Sequence, residues 1–514
     1  VEHQKSHFVT DWLEKRARLS PERVALEDTI TGQIITYRAW NAQANRTANF
    51  LRALGVQRGD RVSVYASNCV AYLDVWQACG KLGAILQNVN WRLTPPELEP
   101  LIQDAAPRVM CYSGDFASQV NGLRERLPGI ERFIAFDTLA APDDLPFAAR
   151  DEYPERLADR PDLHPDDPWV ICYTGGTTGL PKGAILSHAN MTWNSVNTVT
   201  SWNLDQDDVT ILNAPLFHTG GLNVFTLPLI HVGGKSIVCK KFDPDQVFDL
   251  IAGAGVTIYF GVPTMFLAMQ QHPRWPAADF SRLKLIISGG APCPLPVFER
   301  FWAKGVDFKT GYGLTEAGPN TFWLPRADVR RKPGAVGVPL FHVDVCVVRP
   351  DGSACDPGEP GELIIRGPHV TPGYWNNPEA TAKAIVDGWL HTGDLAACDD
   401  EGYYTIVGRI KDMIISGGEN IYPAEVESAM HAHPAVAEAA LIGVPDPKWG
   451  EVGRAIVVLE KGQSLSAEAL IAFLRERLAG YKVPKSVMFV DELPKTGPGK
   501  IDKKALIGRY GQPG

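Results

Sequence analysis

The stretch Trp169-Val170-Ile171-Cys172-Tyr173-Thr174-Gly175-Gly176-Thr177-Thr178-Gly179-Leu180-Pro181-Lys182-Gly183 decides how this chain is read, because an apolar run of strand length passes straight into a loop of glycines and threonines. Glycines expose backbone N–H groups, threonines add hydroxyl donors, and Lys182 adds a point charge, a combination suited to binding a triphosphate. A Walker phosphate loop needs its lysine directly after the last glycine, at a helix start. Leu180 and Pro181 intervene and Gly183 follows the lysine, so that reading fails. A flexible Gly/Thr surface turn is the plainer alternative.

Outward from the loop, Asp151 to Asp167 is rich in proline and charge and reads as an exposed connection. Before it, Val62-Ser63-Val64-Tyr65 and Arg108-Val109-Met110-Cys111-Tyr112 look like strands, and Trp40 to Leu54 carries apolar residues at helical spacing. After it, from Ile211 to Gly290, short apolar runs alternate with Gly/Pro breaks and helices, as in Lys284-Leu285-Ile286-Ile287-Ser288-Gly289-Gly290. Strands ending in glycine pairs place backbone where α/β sheets bind ligands. Residues 340 to 408 change character: Val343 to Val348 and Gly361 to Gly367 read as half-exposed antiparallel strands with turns at Asp351-Gly352 and Pro357-Gly358. About 100 further residues suffice for a small separate domain.

At 514 residues the chain exceeds what one core supports, so two domains or more are expected. From Arg409 on there are 14 Lys/Arg against 13 Asp/Glu, leaving 36 against 46 before it, so an acidic first part precedes a neutral last one. The overall charge of −9, with no long basic run, argues against nucleic acid or a membrane surface. No apolar run reaches the roughly 18 residues of a membrane span, and the polar start Val1-Glu2-His3-Gln4-Lys5 lacks a secretory h-region, so a cytoplasmic location is expected. Nine scattered cysteines without a C-x-x-C pair argue against zinc and disulfides and read as reduced and mostly buried.

Five more segments bear chemistry. Gly311-Tyr312-Gly313-Leu314-Thr315-Glu316 offers a flat ring that glycines let a purine approach, and a carboxylate suited to Mg²⁺. Asp387-Gly388-Trp389-Leu390-His391-Thr392-Gly393-Asp394 ends in an acceptor-only group suited to vicinal hydroxyls. Gly408 to Glu427 contains Ser416-Gly417-Gly418-Glu419 and reads as a hairpin followed by a capped helix. Pro494-Lys495-Thr496-Gly497-Pro498-Gly499-Lys500-Ile501 is a shaped loop tip, and Asn213-Ala214-Pro215-Leu216-Phe217-His218-Thr219-Gly220-Gly221 places a histidine before two glycines. Taken singly, T-G-D is a turn, Arg409 a surface ion pair, Lys500 a solvated charge and His218 a hydrogen-bonded core residue.

In this order the six segments resemble the adenylate-forming enzymes: AMP-forming acyl-CoA synthetases, peptide-synthetase adenylation domains and luciferases. Gly175 stands where serine is frequent in that family, and glycine also occurs there. The resemblance implies an α/β fold: a large N-terminal domain of two α/β subdomains plus a small β subdomain, and a small mobile α+β C-terminal domain. The boundaries implied are 1–408, a hinge at 409–411 centred on Lys411, and 412–514. It further implies catalysis by Lys500, Thr177, Glu316 and His218, and Mg²⁺ held at Thr177 and Glu316. ATP or AMP would be bound by Thr174, Gly175, Gly176, Thr177, Thr178, Gly179, Lys182, Gly290, Ala291, Gly311, Tyr312, Gly313, Thr315, Asp394, Ile406, Arg409 and Lys500. The acyl pocket would take His218, Thr219, Gly220, Gly221, Asn223, Gly289, Gly290, Gly313 and Ala317, with His218 gating it. Coenzyme A would meet Gly417, Gly418, Glu419, Trp449, Tyr481 and Lys485.

The implied reaction couples ATP to a carboxylate, giving an acyl-adenylate and then a CoA thioester. An amino-acid enzyme would need an acidic residue where Ala214 and Pro215 stand, and a dicarboxylate enzyme an arginine within 216–224 or 288–292. Gly220, Gly221, Gly289, Gly290 and Ala291 suggest room for an apolar tail, so a medium- or long-chain fatty acid is expected first. An aryl or phenylpropenoid acid (benzoate, coumarate or ferulate type) is the alternative. A carrier-protein loader, a luciferase-like oxygenase and a non-catalytic nucleotide-binding regulator are the remaining readings, and a homodimer is left open.

Overall fold

The computed structural model describes residues 9–175, 181–496 and 500–512. Two seven-stranded sheets carry the large domain. In the first, Leu145–Pro146, Arg132–Ala135, Val109–Tyr112, Arg61–Tyr65, Ile85–Asn88 and Pro168–Thr174 run parallel in that order, and Lys182–Ser187 closes the edge antiparallel. In the second, Phe308–Thr310, Leu285–Ser288, Ile258–Gly261, Val209–Leu212, Lys235–Val238 and Val24–Asp28 are parallel, with Ile34–Thr36 antiparallel at the edge. Their short apolar strands are buried on both faces, as parallel sheets covered by helices require.

The expected helix from Trp40 runs over Tyr37–Ala53; Thr36 accepts a hydrogen bond from the Ala39 N–H at its start, and Trp40, Ala44, Ala48 and Leu51 form its buried stripe. The connection 151–167 is exposed over most of its length yet laced to that helix, with Asn45 donating to the Glu155 carbonyl and Asn49 to those of Pro154 and Arg156. Val24–Asp28 leaves its sequence neighbours and pairs with Lys235–Val238 of the second sheet, more than 200 residues on.

The β subdomain is a five-stranded antiparallel sheet in which Asp344–Val348, Gly361–Arg366 and Trp389–Cys398 are consecutive, with Ile385–Val386 and Tyr404–Arg409 also pairing with the long strand. The last domain has a sheet of its own built on the long hairpin Val436–Asp446 and Gly450–Leu459, with helices Pro423–His431 and Ala467–Arg475 over it. The helix after the Gly417-Gly418 turn begins at Tyr422 without a side-chain cap, so only Pro423 at its first turn marks the start. All nine cysteines are free; four are buried and five half-buried, fewer in the core than expected. Among the described residues no helix is long and apolar enough to cross a membrane.

Candidate active site

Strand Pro168–Thr174 leaves the first sheet and returns as Lys182–Ser187, with Thr174 opposite Lys182. The assigned residues Gly176, Thr177, Thr178 and Gly179 lie outside the described residues. At the strand end the Thr174 hydroxyl reaches the Lys182 carbonyl at 3.3 Å and Glu316 Oε1 at 3.2 Å. Glu316 is buried on the short turn Thr315–Ala317 and receives a second hydroxyl on the same oxygen, that of Tyr374, at 3.0 Å. Burial and the Glu316 charge push the Tyr374 phenol pKa up, so it stays a donor at neutral pH. The Lys182 ammonium lies 5.2 Å from the centre of the Tyr374 ring.

The segments expected to meet the nucleoside come from the second sheet and the β subdomain. The Gly311 N–H donates to the Ser288 carbonyl at 2.7 Å, and the Tyr312 hydroxyl donates to Asp394 Oδ2 at 2.6 Å. Asp394 is buried, and its Oδ1 accepts from Arg409 Nε at 2.8 Å; the two residues are register partners on adjacent strands. The Thr392-Gly393-Asp394 segment is therefore a bulge inside strand Trp389–Cys398, with Gly393 at φ +67°, and not a turn. Tyr312, Leu314 and Ile406 pack against one core cluster. The Cys172 thiol on the strand before the loop donates to the Phe217 carbonyl at 3.5 Å, tying that strand to the segment carrying His218.

Lys500 reaches this assembly from the last domain. Its Cε lies 3.7 Å from where a Cβ on Gly290 would stand, and its ammonium feels Arg409, Asp394, Glu316 and Lys411. Although part of its side chain remains exposed, crowding by protein and then the Arg409 cation push its pKa down to about 8, against the pull of Asp394 and Glu316. The His218 ring is surrounded by protein and flanked by Lys500 and Arg92, which with burial drive its pKa down to about 3, so it is neutral at working pH. Its Nε2 has no hydrogen-bond partner.

Around the residues expected to line an acyl pocket there is less room than expected. A Cβ on Gly221 would stand 2.5 Å from the Pro215 carbonyl oxygen, and one on Gly313 1.5 Å from that of Pro319, so backbone occupies both spaces. On Gly220 and Gly289 it would meet the Phe260 ring at 3.3 and 3.0 Å. One aromatic ring thus fills the gap between two glycines that sequence reading left open. Asn223 and Ala317 are fully buried, the amide of Asn223 donating to Thr219 at 2.8 Å. Asn68 holds the loop carrying His218, donating to the Ala214 carbonyl and accepting from the Leu216 N–H, each at 2.9 Å. Arg92 lies over the Trp91 ring at 4.9 Å and near that of Phe217 at 5.9 Å, bringing a cation to a wall whose own segments contain none. Phe260, Asn68, Arg92 and Tyr374 were not singled out by sequence; no motif of theirs signals a contact made across tens to hundreds of residues.

Lys500 is gathered in, while the proposed coenzyme A residues stand apart. Gly417 turns at φ +62° beneath Trp449, whose ring stands 2.6 Å from a Cβ placed there. Gly418, Glu419, Trp449, Tyr481 and Lys485 are exposed. Among the described residues no hydrogen bond or ion pair joins them to the nucleotide side. Lys411 lies between the two sets in sequence, exposed in the turn Ile410–Asp412.

A divalent ion fits this donor set. Glu316 and the Thr174 hydroxyl are hard oxygens, and Mg²⁺ is commonly bound by one or two carboxylates with the nucleotide phosphates. Among the described residues there is no cluster of three or more His, Cys, Asp or Glu able to hold a metal alone. Bound there with the nucleotide, it would neutralise phosphate charge.

Comparison with known proteins agrees with this geometry. Residues 13–375 match the AMP-binding enzyme family and residues 425–500 the AMP-binding enzyme C-terminal domain. The chain is 44% identical to a feruloyl-CoA synthase of an Amycolatopsis species over 97% of its length and 98% of the relative's. It is 38% identical to an indoleacetate–CoA ligase of Aromatoleum aromaticum, covering 98% of each chain, and 36% identical to a long-chain-fatty-acid–CoA ligase of Mycobacterium tuberculosis, covering 97% of each. A crystal structure of an anthranilate–CoA ligase in complex with anthranoyl-AMP superposes with a TM-score of 0.91 at 28% identity, over 98% of this chain and 97% of that one. Glu316, the Asp394–Arg409 pair and Lys500 thus stand within a chain matched over almost its whole length by CoA ligases and synthases, and the protein belongs to the AMP-binding, adenylate-forming enzyme family as an acyl-CoA ligase.

Proposed function

We infer that the acid activated is an aryl or phenylpropenoid acid rather than the fatty acid expected first. The observation that carries this is the Phe260 ring lodged between Gly220 and Gly289, where an apolar tail was expected to run. An aromatic ring there shortens the room for an extended tail and offers edge contacts suited to an aromatic acid. The two relatives of highest identity reported above are named for feruloyl and indoleacetate substrates, which supports the same side.

In this reading the substrate carboxylate attacks the α-phosphorus of ATP, pyrophosphate leaves, and an acyl-adenylate remains. Negative charge gathers on phosphate oxygens as the new bond forms, and Lys500, Lys182 and the Thr177 and Thr178 hydroxyls stabilise it. Asp394 and Arg409 hold the ribose, Tyr312 the purine. The coenzyme A thiol then attacks the acyl carbonyl and AMP departs. For that step the last domain, 412–514, turns about Lys411, withdraws Lys500 and presents the Gly417-Gly418 face.

A panel of acids from C2 to C18 alongside benzoic, cinnamic, coumaric and ferulic acids, followed by AMP release with ATP and coenzyme A, tests the specificity. The highest kcat/KM is expected for a phenylpropenoid or aryl acid. A best substrate of C8 or longer would return the assignment to fatty acids.

A further inference from the structure

We propose that Tyr374 and Asp104 are positioning residues of the adenylation half-reaction, fixing the Glu316 carboxylate against the phosphate-loop hairpin from behind. Tyr374 lies in the β subdomain, far in sequence from both partners. Its segment lies along strand Lys182–Ser187 as an added partner: the Ile185 N–H donates to the Gly373 carbonyl at 3.0 Å and the Trp375 N–H to that of Gly183 at 2.7 Å. Gly183 permits this approach, since a Cβ there would stand 3.3 Å from that of Trp375 and 2.8 Å from Ile171. The arrangement delivers the Tyr374 hydroxyl to Glu316 Oε1.

Asp104, at the end of helix Pro95–Ala105, anchors both sides of that pairing. Its Oδ2 accepts from the Tyr173 hydroxyl at 2.6 Å, holding the strand that leads into the loop. Its backbone carbonyl accepts from Trp375 Nε1 at 3.2 Å and from the Asn376 amide at 3.0 Å, holding the segment that carries Tyr374. One residue therefore sets the spacing between the strand entering the phosphate loop and the tyrosine on the glutamate. With Oε1 engaged by two neutral hydroxyls, the direction of Oε2 is set before any nucleotide arrives, and such preorganisation is worth most where charge develops.

The inference concerns ATP activation and holds for whichever acid the enzyme takes. The test uses the full chain with its best acid, and two half-reactions measured apart: ATP–pyrophosphate exchange, and thioester formation from supplied acyl-adenylate and coenzyme A. Tyr374→Phe keeps the ring and removes the hydroxyl. It is expected to lower kcat/KM for ATP in exchange by about tenfold or more, mainly through KM, while thioester formation stays within about twofold. Asp104→Ala should follow the same pattern and Asp104→Asn, which still offers an amide oxygen to Tyr173, should recover most of the loss. Calorimetric binding of ATP with and without Mg²⁺ gives a readout apart from turnover: the Tyr374→Phe deficit should appear only with the ion present. Equal losses in both half-reactions, or ATP binding unchanged with the ion, would overturn the proposal. Wild-type exchange activity with the chosen acid distinguishes that result from an error in the acid assignment.

Discussion

In the proposed mechanism Lys500 is the side chain whose charge the reaction needs, and its surroundings oppose that charge. Its pKa of about 8 arises from crowding by protein and from the Arg409 cation, with Asp394 and Glu316 opposing. The ammonium is the useful form beside phosphate oxygens, so the proton must be present in the free enzyme. The ratio kcat/KM reports the free enzyme's groups. It should therefore fall tenfold per pH unit above about 8 in pyrophosphate exchange, with no matching fall on the acid side from His218, already neutral above pH 3. Lys500→Ala should lose about 10²- to 10³-fold in exchange, as removal of one preorganised donor commonly does, and flatten the alkaline limb. A limb that persists in the alanine variant would assign the ionisation elsewhere. The candidate residues Glu316, Asp394, Arg409 and Lys500 could be picked out from sequence because each motif carries its residue types within a few positions. The Tyr312–Asp394 bond and the Phe260 filling could not, because they join positions 82 and at least 29 residues apart that no local pattern relates.

The short segments that carry the site show which glycines are spaces and which are contacts. In Gly311-Tyr312-Gly313 the last glycine is a contact, since any Cβ would overlap the Pro319 carbonyl, and backbone cannot swing aside as a side chain can. In the loop after Val209–Leu212, Gly220 faces the Phe260 ring edge at 3.3 Å, a neighbour able to turn. The two substitutions should therefore separate. Gly313→Ala should displace Tyr312 from Asp394 and weaken AMP binding by about tenfold, the effect of overpacking by 1–3 kcal/mol. Gly220→Ala should leave AMP affinity unchanged and raise KM for aromatic acids. Calorimetry with AMP and steady-state kinetics across acids measure the two; weaker AMP binding in the Gly220 variant alone would reverse the assignment. The elements themselves were largely legible. Strands at 62–65, 109–112, 285–288, 344–348 and 361–366 stand where apolar runs placed them, because each run is short and bounded by turn residues. The crossing of Val24–Asp28 into the second sheet was not legible, since its pattern states that it pairs but not with what.

At the scale of the molecule the question is whether one chain can present two different faces to one bound nucleotide. In the arrangement described, Lys500 lies by Gly290 while Gly417, Gly418 and Trp449 are exposed. Both sets sit on one compact domain built around its own sheet, so a rigid turn that admits one removes the other. Away from the site, Gln271 at the end of helix Pro263–Gln271 donates to Glu460 Oε1 at 3.4 Å, a contact between the large and last domains that such a turn must break. None of the nine native cysteines is fully exposed, so thiols introduced by Gln271→Cys and Glu460→Cys can be joined selectively by a short reducible bis-maleimide. The joined enzyme should keep pyrophosphate exchange within about twofold and lose thioester formation by about tenfold or more, and reduction of the linker should restore it. Single-cysteine controls exclude damage from the reagent. Full thioester formation with the domains held together would mean that coenzyme A enters without the turn, and that the Gly417-Gly418 face has another purpose.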